Sequence, residues 1–185
     1  MSDSNETPIH VCLCFDGNIN RQVLLAAASA AASTSSALTI HFVCPQNALR
    51  QFQIDLDAFT LRQRERRAKS FTSEMHVVPD AEYEALPSAS WLPKASCLRL
   101  LISSYLPKDI QRIIYLDSDI MVTADLGELF HTDMRGHPIA AVQDAGMRQI
   151  YCEGLGLDAR HYFNAGVLLI DLTQWCEPAH RALAL

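Results

Sequence analysis

Two aspartates, Asp117 and Asp119, are the residues of this sequence best placed to do chemistry, because they follow a short apolar run at 113–116. On extended backbone, residues i and i+2 face the same side, so both carboxylates would point toward one position. Neighbouring carboxylates repel each other unless a cation lies between them, and carboxylate and phosphate oxygens are the ligands of hard divalent cations. The spacing therefore predicts a divalent metal site, and the alternative is a strand end with two solvated aspartates.

The strand that leads into Asp117 belongs to a chain in which apolar strands alternate with amphipathic helices. A strand at 9–15, an Ala- and Leu-rich helix at 22–33 and a second strand at 38–44 form a βαβ opening. This opening predicts a mostly parallel sheet with helices on its faces, an α/β fold. The remaining predicted elements are strands at 71–78, 112–122, 137–143 and 162–171, helices at 45–69, 94–105, 125–130 and 172–185, a loop at 80–93 with room for a helical turn, and an irregular segment at 148–160.

Polar residues follow the apolar runs of three predicted strands. They are Asp16-Gly17-Asn18, Asp117-Ser118-Asp119 and Asp144. In open α/β sheets, ligands bind beyond the carboxyl ends of the strands, where an acid or amide can hold the ribose or base of a nucleotide. Asn164-Ala165-Gly166, just before the last apolar strand, adds an amide and small residues that let backbone approach a ligand. Plain turns and a tight corner are the alternative interpretations of these segments.

Composition narrows the class of protein. The chain has 185 residues, a net charge of −6 and a pI near 5.6, which disfavours a nucleic-acid partner. The six cysteines are scattered without a CxxC pair, so core packing in a reducing compartment is favoured over disulfides or a zinc site. We predict a disordered lead-in at 1–8 and a single domain at 9–185. No signal peptide or membrane-spanning run is evident, which favours a cytoplasmic protein.

One basic segment, 61–69, carries five positive charges and one negative charge. A solvated helix face is the favoured interpretation. The alternative is an electrostatic contact with an anionic acceptor, or a peripheral contact with the inner face of a membrane.

Four segments, taken in order, resemble the family-eight retaining glycosyltransferases, the group with glycogenin and the bacterial lipopolysaccharide galactosyl- and glucosyltransferases. They are residues 15–18, 99–101, 114–120 and 162–170. The resemblance implies a GT-A type nucleotide-diphospho-sugar transferase fold, a UDP-sugar donor, a saccharide or glycolipid acceptor, and Mn²⁺ (or Mg²⁺) as cofactor. It also implies a retaining, metal-assisted hexosyl transfer. The oligomeric state, including a homo-oligomer, stays open.

The resemblance also assigns roles to single residues. Asp117 and Asp119 would hold the metal on the donor diphosphate, and Arg99 would reach the donor phosphate or sugar. A cation and an arginine stabilise the charge that grows on a leaving diphosphate better in the transition state than in the ground state. The implied catalytic residues are Asp117, Asp119 and Arg99, and the implied donor-binding residues are Asp16, Gly17, Asn18, Arg99, Ser118, Asp144, Asn164, Ala165 and Gly166.

The sequence departs from the family pattern in two places. Cys97 stands where the family often has a tyrosine, and the downstream His-x-x-Gly-x-x-Lys-Pro-Trp motif, with its third metal ligand, is missing. No lysine follows Asp119 at all. We therefore expect the donor-binding part of a longer enzyme, with a weakened metal site and impaired or absent transfer by this chain alone.

Two other functions are alternatives to glycosyl transfer. The first is a non-catalytic or vestigial nucleotide-sugar-binding module that needs a partner or the missing C-terminal part. The second is an aspartate-nucleophile phosphatase, whose first aspartate attacks phosphorus. Met121, where such phosphatases usually carry a small hydroxyl residue, and the missing lysine count against the second.

Overall fold

The computed structural model describes residues 7–88, 92–146, 148–154, 156, 158, 160 and 162–175. Residues 1–6 of the expected lead-in and residues 176–185 of the predicted last helix lie outside this description. The strands are β1 (Ile9–Cys14), β2 (Leu38–Pro45), β3 (Thr72–Val78), β4 (Arg112–Leu116), β5 (Ile139–Gln143) and β6 (Phe163–Asp171). The helices are α1 (Asn20–Ser33), α2 (Gln46–Glu65), α3 (Asp80–Glu84), α4 (Lys94–Cys97), α5 (Ile102–Tyr105), α6 (Leu126–Phe130), α7 (Gln149–Glu153) and α8 (Leu172–Trp175).

The strands of the described chain form one sheet in the order β3-β2-β1-β4-β6-β5. Parallel pairing joins β1 to β2 and to β4, and β2 to β3. β6 runs antiparallel to both of its neighbours, β4 and β5. The predicted mostly parallel α/β sheet is thus confirmed. Because β6 is reversed, its first residues lie at the same sheet edge as the carboxyl ends of the other strands.

The first face of the sheet carries α1 and α2. The buried alanines of α1 let that helix approach the strands closely. Next to them, Phe52 of α2 packs against Phe15 and Phe42, with ring centroids 4.2 and 5.0 Å away. All three rings are fully buried. Burying a phenylalanine contributes ~1.5–3 kcal/mol, so this aromatic cluster anchors α2 to the amino-terminal half of the sheet.

The second face carries the helical stretch at 94–105. It begins after Pro93, as predicted, and ends before Pro107, where a proline disfavours further helix. A 3₁₀ turn at Leu98–Leu101 separates α4 from α5, so the single helix predicted here was wrong in its interior. Leu98 and Ile102 are fully buried against the sheet. Arg99 lies within the 3₁₀ turn.

One short helix was missed by the prediction: α7 lies in the segment at 148–160 that was expected to be irregular. The helical turn considered for the loop at 80–93 is present as α3, at the start of that loop. The basic segment 61–69 covers the last residues of α2 and the four residues that follow it. Its Lys69 donates to the carbonyls of Thr34 and Ser35, just beyond the end of α1. A cation is favourable at a helix C-terminus, so this lysine has a local structural role.

Among the described residues, no helix has both the length and the apolar character needed to cross a bilayer.

Candidate functional site

An open cavity of about 430 Å³ lies beyond the carboxyl ends of β1 and β4. It is lined by Cys14, Asp16, Asn18, Ile19, Gln22, Pro93, Ala95, Ser96, Tyr115, Asp117, Ser118 and Asp119. Two of the polar segments predicted from the sequence, at 16–18 and 117–119, therefore meet in one place. Seven lining residues had not been assigned to a site, among them the polar Gln22, Ser96 and Tyr115. Tyr115 lies in the same apolar run that leads into Asp117.

Asp117 and Asp119 lie on a tight turn. β4 ends at Leu116, and the Ile120 amide donates to the Asp117 carbonyl over 3.1 Å. The prediction that strand alternation would align the two carboxylates was therefore wrong, because the backbone there is not extended. The turn itself brings both to the cavity wall. Ser118 anchors it by donating from Oγ to the Cys14 carbonyl at the end of β1, over 3.2 Å.

The two oxygens of the Asp117 carboxylate have different surroundings. Oδ1 accepts from the Tyr115 hydroxyl over 2.6 Å and lies 3.0 Å from Nη2 of Arg99. Burial above all raises the pKa of Tyr115 well above its usual value, so the hydroxyl keeps its proton and donates. Within the described part of the chain, Oδ2 has no hydrogen-bond donor. Asp117 is thus fixed through one oxygen and free through the other.

Arg99 is fully engaged with the protein. Its Nε donates to the Ser96 carbonyl over 2.6 Å, its Nη1 donates to the Ala165 carbonyl, and its Nη2 pairs with Asp117. The guanidinium carbon also lies 4.6 Å from the centroid of the Tyr115 ring, a cation–π contact. The structure places Arg99 behind Asp117 and does not include it in the cavity wall. Its position suits an arginine that orients the carboxylate.

Gly166 lies directly against Asp117. The Asp117 amide donates to the Gly166 carbonyl over 2.8 Å, and the Gly166 amide donates to Oδ1 of Asn164 over 2.8 Å. A Cβ at position 166 would lie 3.0 Å from that Asn164 oxygen and 3.2 Å from Oδ2 of Asp117. A side chain at position 166 would therefore require Asn164 or Asp117 to shift by a few tenths of an ångström.

The segment after β1 is a rigid polar turn. Oδ1 of Asp16 accepts from the Asn18 amide over 3.1 Å, and Oδ2 accepts from Nδ2 of Asn18 over 3.0 Å. Gly17 has φ +93°, and a Cβ there would lie 2.9 Å from Cβ of Ala48. Both the dihedral angle and the contact with α2 require glycine. Asp16 and Asn18 consequently present their side chains to the cavity in a fixed arrangement.

The remaining predicted residues lie at the same sheet edge but outside the cavity wall. Asp144 follows β5, and its Oδ1 accepts from the Gly146 amide over 2.9 Å. Asn164 and Ala165 begin β6 beside Arg99 and Asp117. Cys97, the departure from the family pattern, donates its thiol to the Pro87 carbonyl, and burial raises its pKa.

The free carboxylate oxygens of the site are suitable ligands for a hard divalent cation. Oδ2 of Asp117 has no donor, and Asp119 is exposed and makes no hydrogen bond or ion pair with the described residues. Both line the same cavity. Carboxylate oxygens on an open wall, with room for further oxygens from a ligand or water, fit Mg²⁺ or Mn²⁺.

Comparison with known proteins gives a consistent result. The model of the family described as "Glycosyl transferase family 8" matches residues 10–181. General stress protein A of Bacillus subtilis is 34% identical over 50% of this chain and 33% of its own length. Lipopolysaccharide 1,2-glucosyltransferase of Escherichia coli is 29% identical over 51% of this chain and 29% of its own.

Among solved structures, the galactosyltransferase LgtC in complex with donor and acceptor sugar analogues aligns with a TM-score of 0.72 and 22% identity. The alignment covers 90% of this chain and 59% of LgtC. This likeness confirms the predicted GT-A type fold. The matched region thus spans roughly a third of these two curated relatives and about three-fifths of the solved structure.

Proposed function

Since the chain belongs to glycosyl transferase family 8, we propose that it binds a UDP-sugar in the acidic cavity for transfer of the hexose to a saccharide or glycolipid acceptor with retention of configuration. The observation that carries the proposal is the convergence of Asp117 and Asp119 with Asp16 and Asn18 on one cavity wall. The names of the relatives, a lipopolysaccharide glucosyltransferase and a galactosyltransferase seen with sugar analogues, support a saccharide acceptor. We also propose that the protein acts in the cytoplasm and takes part in lipopolysaccharide biosynthesis.

In this proposal the acidic turn holds Mn²⁺ or Mg²⁺ through Oδ2 of Asp117 and through Asp119. The bound cation would neutralise negative charge on the leaving diphosphate. The protein's own contribution is preorganisation: Tyr115 and Arg99 occupy Oδ1 of Asp117 and so direct Oδ2 outward. A carboxylate already held in place loses little conformational freedom when its ligand arrives.

The polar turn at 16–18 is proposed to contact the nucleoside. Its backbone is fixed by Gly17 and its two side chains are held to each other, so the hydrogen-bonding groups do not need ordering on binding. The segment Asn164-Ala165-Gly166 and Asp144, at the neighbouring strand ends, are proposed to line the sugar side. Their support is the close contact of Gly166 with Asp117.

The test is a calorimetric titration of the purified chain with UDP, with and without Mn²⁺. We expect binding that depends on the metal and that weakens more than ~100-fold in Asp117→Asn or Asp119→Asn, because a hard cation loses a charged ligand. Asp57→Asn, at an exposed position of α2, is the matched control and should bind as the unaltered chain does. Equal binding by all variants, or no binding by the unaltered chain with Mn²⁺, would contradict the proposed donor site.

Turnover separates the enzyme from a binding module. Incubation with UDP-hexose, Mn²⁺ and a saccharide acceptor, followed by chromatography of the products, measures transfer and hydrolysis directly. UDP binding without either reaction would favour the non-catalytic alternative for this chain. The phosphatase alternative is disfavoured by the family match, which is to glycosyltransferases.

A further inference from the structure

A second set of metal-ligating side chains lies on the same face of the sheet as Tyr115, but toward β3, the strand at the edge of the sheet. It consists of His10 on β1, His41 on β2, and Glu74 and His76 on β3. His10 is four strand positions from Cys14 at the cavity, roughly 13 Å along the strand. We call this set the histidine cluster, and the function proposed above does not use it.

Strand register builds the histidine cluster. In the parallel pairing of β2 and β3, His41 is opposite Glu74, and His76 lies two positions further along the same face. Parallel strands held by their neighbours are rigid supports, so the relative positions of the three side chains are set by the sheet.

Three ligand atoms of the cluster converge. Nδ1 of His41 lies 2.9 Å from Nε2 of His76 and 3.4 Å from Oε2 of Glu74, and the latter two atoms are 3.9 Å apart. Ligands bound to zinc at ~2.0–2.1 Å in tetrahedral geometry are separated from each other by ~3.3–3.4 Å. The observed triangle brackets this value, so one ion can reach all three atoms with small side-chain adjustments.

The surroundings of the three atoms also suit a metal. The His41 side chain is completely buried and that of Glu74 is 43% exposed, so the cluster opens toward solvent on the glutamate side. Burial, followed by the neighbouring His76 and His10, lowers the pKa of His41 to about 3, so its imidazole is neutral, the form that binds metals. The other ring nitrogen of His41, Nε2, lies 2.9 Å from Nδ1 of His10, the outer-shell hydrogen bond typical of a metal-bound histidine.

We propose that His41, Glu74 and His76 bind one Zn²⁺ ion, with water as the fourth ligand, and that His10 orients His41. Two imidazoles and one carboxylate are a ligand set that zinc favours, whereas the all-oxygen acidic cavity suits Mg²⁺ or Mn²⁺. The ion would tie β3, the edge strand of the sheet, to β2. Its role in this proposal is to stabilise the fold, and it is independent of sugar transfer.

The test begins with the purified full chain, treated with a chelator, dialysed and titrated with Zn²⁺. We expect one zinc bound per chain and an unfolding temperature raised by roughly 5–10 °C at a free zinc concentration about 100 times the Kd. Co²⁺ in place of Zn²⁺ should give the visible absorption bands of a four-coordinate site. Absence of zinc binding, or cobalt spectra of a six-coordinate ion only, would overturn the proposal.

Variants locate the ion. Glu74→Gln, at a partly exposed position where folding is not at risk, and His76→Asn should each weaken zinc binding more than ~100-fold, since even an outer-shell partner contributes ~10- to 100-fold. His10→Asn should weaken it by about that smaller factor. His131→Asn, an exposed histidine outside the cluster, is the matched control.

The double variant Asp117→Asn, Asp119→Asn tests whether zinc binds in the acidic cavity instead. This variant should bind zinc at the histidine cluster as the unaltered chain does. Zinc binding that survives Glu74→Gln but disappears in this double variant would place the ion in the cavity and refute the proposal.

Discussion

The acidic cavity and the histidine cluster are both groups of potential metal ligands, and the sheet builds them in opposite ways. The cavity takes its carboxylates from two turns that follow strand ends, so they are at least partly exposed. The histidine cluster takes its three proposed ligands from the interior of two neighbouring strands, β2 and β3, where His41 is completely buried. One site is shaped to receive a ligand from solvent, and the other is shaped to hold strands together.

The difference extends to charge. Asp117 is paired with Arg99 through one oxygen, and the cavity that it lines is open to solvent. The three histidines of the cluster favour the neutral form, because burial above all lowers the pKa of His10, His41 and His76. A buried neutral histidine opposes protonation, so lowering the pH should disturb the histidine cluster.

Acid gives the largest expected contrast. In the metal-free chain the pKa of His41 is about 3 when folded and near 6.5 when unfolded, so between these values the unfolded chain binds more protons. The free energy of unfolding should therefore fall as pH drops from ~6.5 toward ~3, by at most ~1.4 kcal/mol per pH unit from this one group. His10 and His76 act in the same direction, and the nearby Glu74 and Asp109 reduce the effect for His10.

The measurement is urea unfolding in chelator across this pH range for the unaltered chain and for His41→Gln. The variant should show a flatter dependence on pH, whereas His131→Asn should follow the unaltered curve. Parallel curves for His41→Gln and the unaltered chain would mean that His41 does not titrate as its burial requires.

Close packing at the cavity gives the second contrast. Gly166→Ala would place a Cβ 3.0 Å from Oδ1 of Asn164 and 3.2 Å from Oδ2 of Asp117, so one of these groups must move. We expect the added Cβ to cost ~1–3 kcal/mol through overpacking. Most of this cost should appear as a weaker free energy of Mn²⁺-dependent UDP binding in calorimetry, because Oδ2 is the proposed metal ligand. Zinc binding at the histidine cluster should not change.

Gly136→Ala is the matched control for this change. Its added Cβ meets nothing within 4 Å, but Gly136 has φ +76°, so the variant costs stability through backbone strain alone. It should lower the unfolding temperature while UDP binding is retained. A Gly166→Ala chain that also kept full UDP binding would contradict the prediction that the added Cβ displaces Oδ2 of Asp117.

The sequence allowed the acidic cavity to be predicted because its parts are local. Each polar segment directly follows an apolar strand, and parallel strands end at one sheet edge, so Asp16 and Asp117 were expected at the same edge. Their meeting in one cavity also depends on the pairing of β1 with β4, which the sequence does not specify. The detailed reason given for the aspartate pair was wrong, because the strand ends one residue before Asp117. The role of Arg99 behind Asp117 depends on the direction of β6, which sequence periodicity does not reveal.

The histidine cluster could not be predicted in the same way, since His10, His41 and His76 come from separate strands and meet only through register. One local signal was present. Glu74 and His76 have the same i, i+2 spacing within a predicted strand as Asp117 and Asp119 do. In this case the alternation argument applies, because β3 continues through both residues.

The smallest expected effect tests which contacts preorganise Asp117 in the cavity. Tyr115→Phe removes the hydroxyl that donates to Oδ1 of Asp117 but leaves the ion pair with Arg99. One hydrogen bond contributes ~1 kcal/mol, so Mn²⁺-dependent UDP binding should weaken about fivefold. Tyr105→Phe, which removes a hydroxyl bonded to the exposed Glu82, is the control and should not alter UDP binding. Equal UDP affinities in the two variants would show that Arg99 alone orients Asp117. The preorganisation of the cavity would then depend on one contact, whereas several contacts fix each histidine of the cluster.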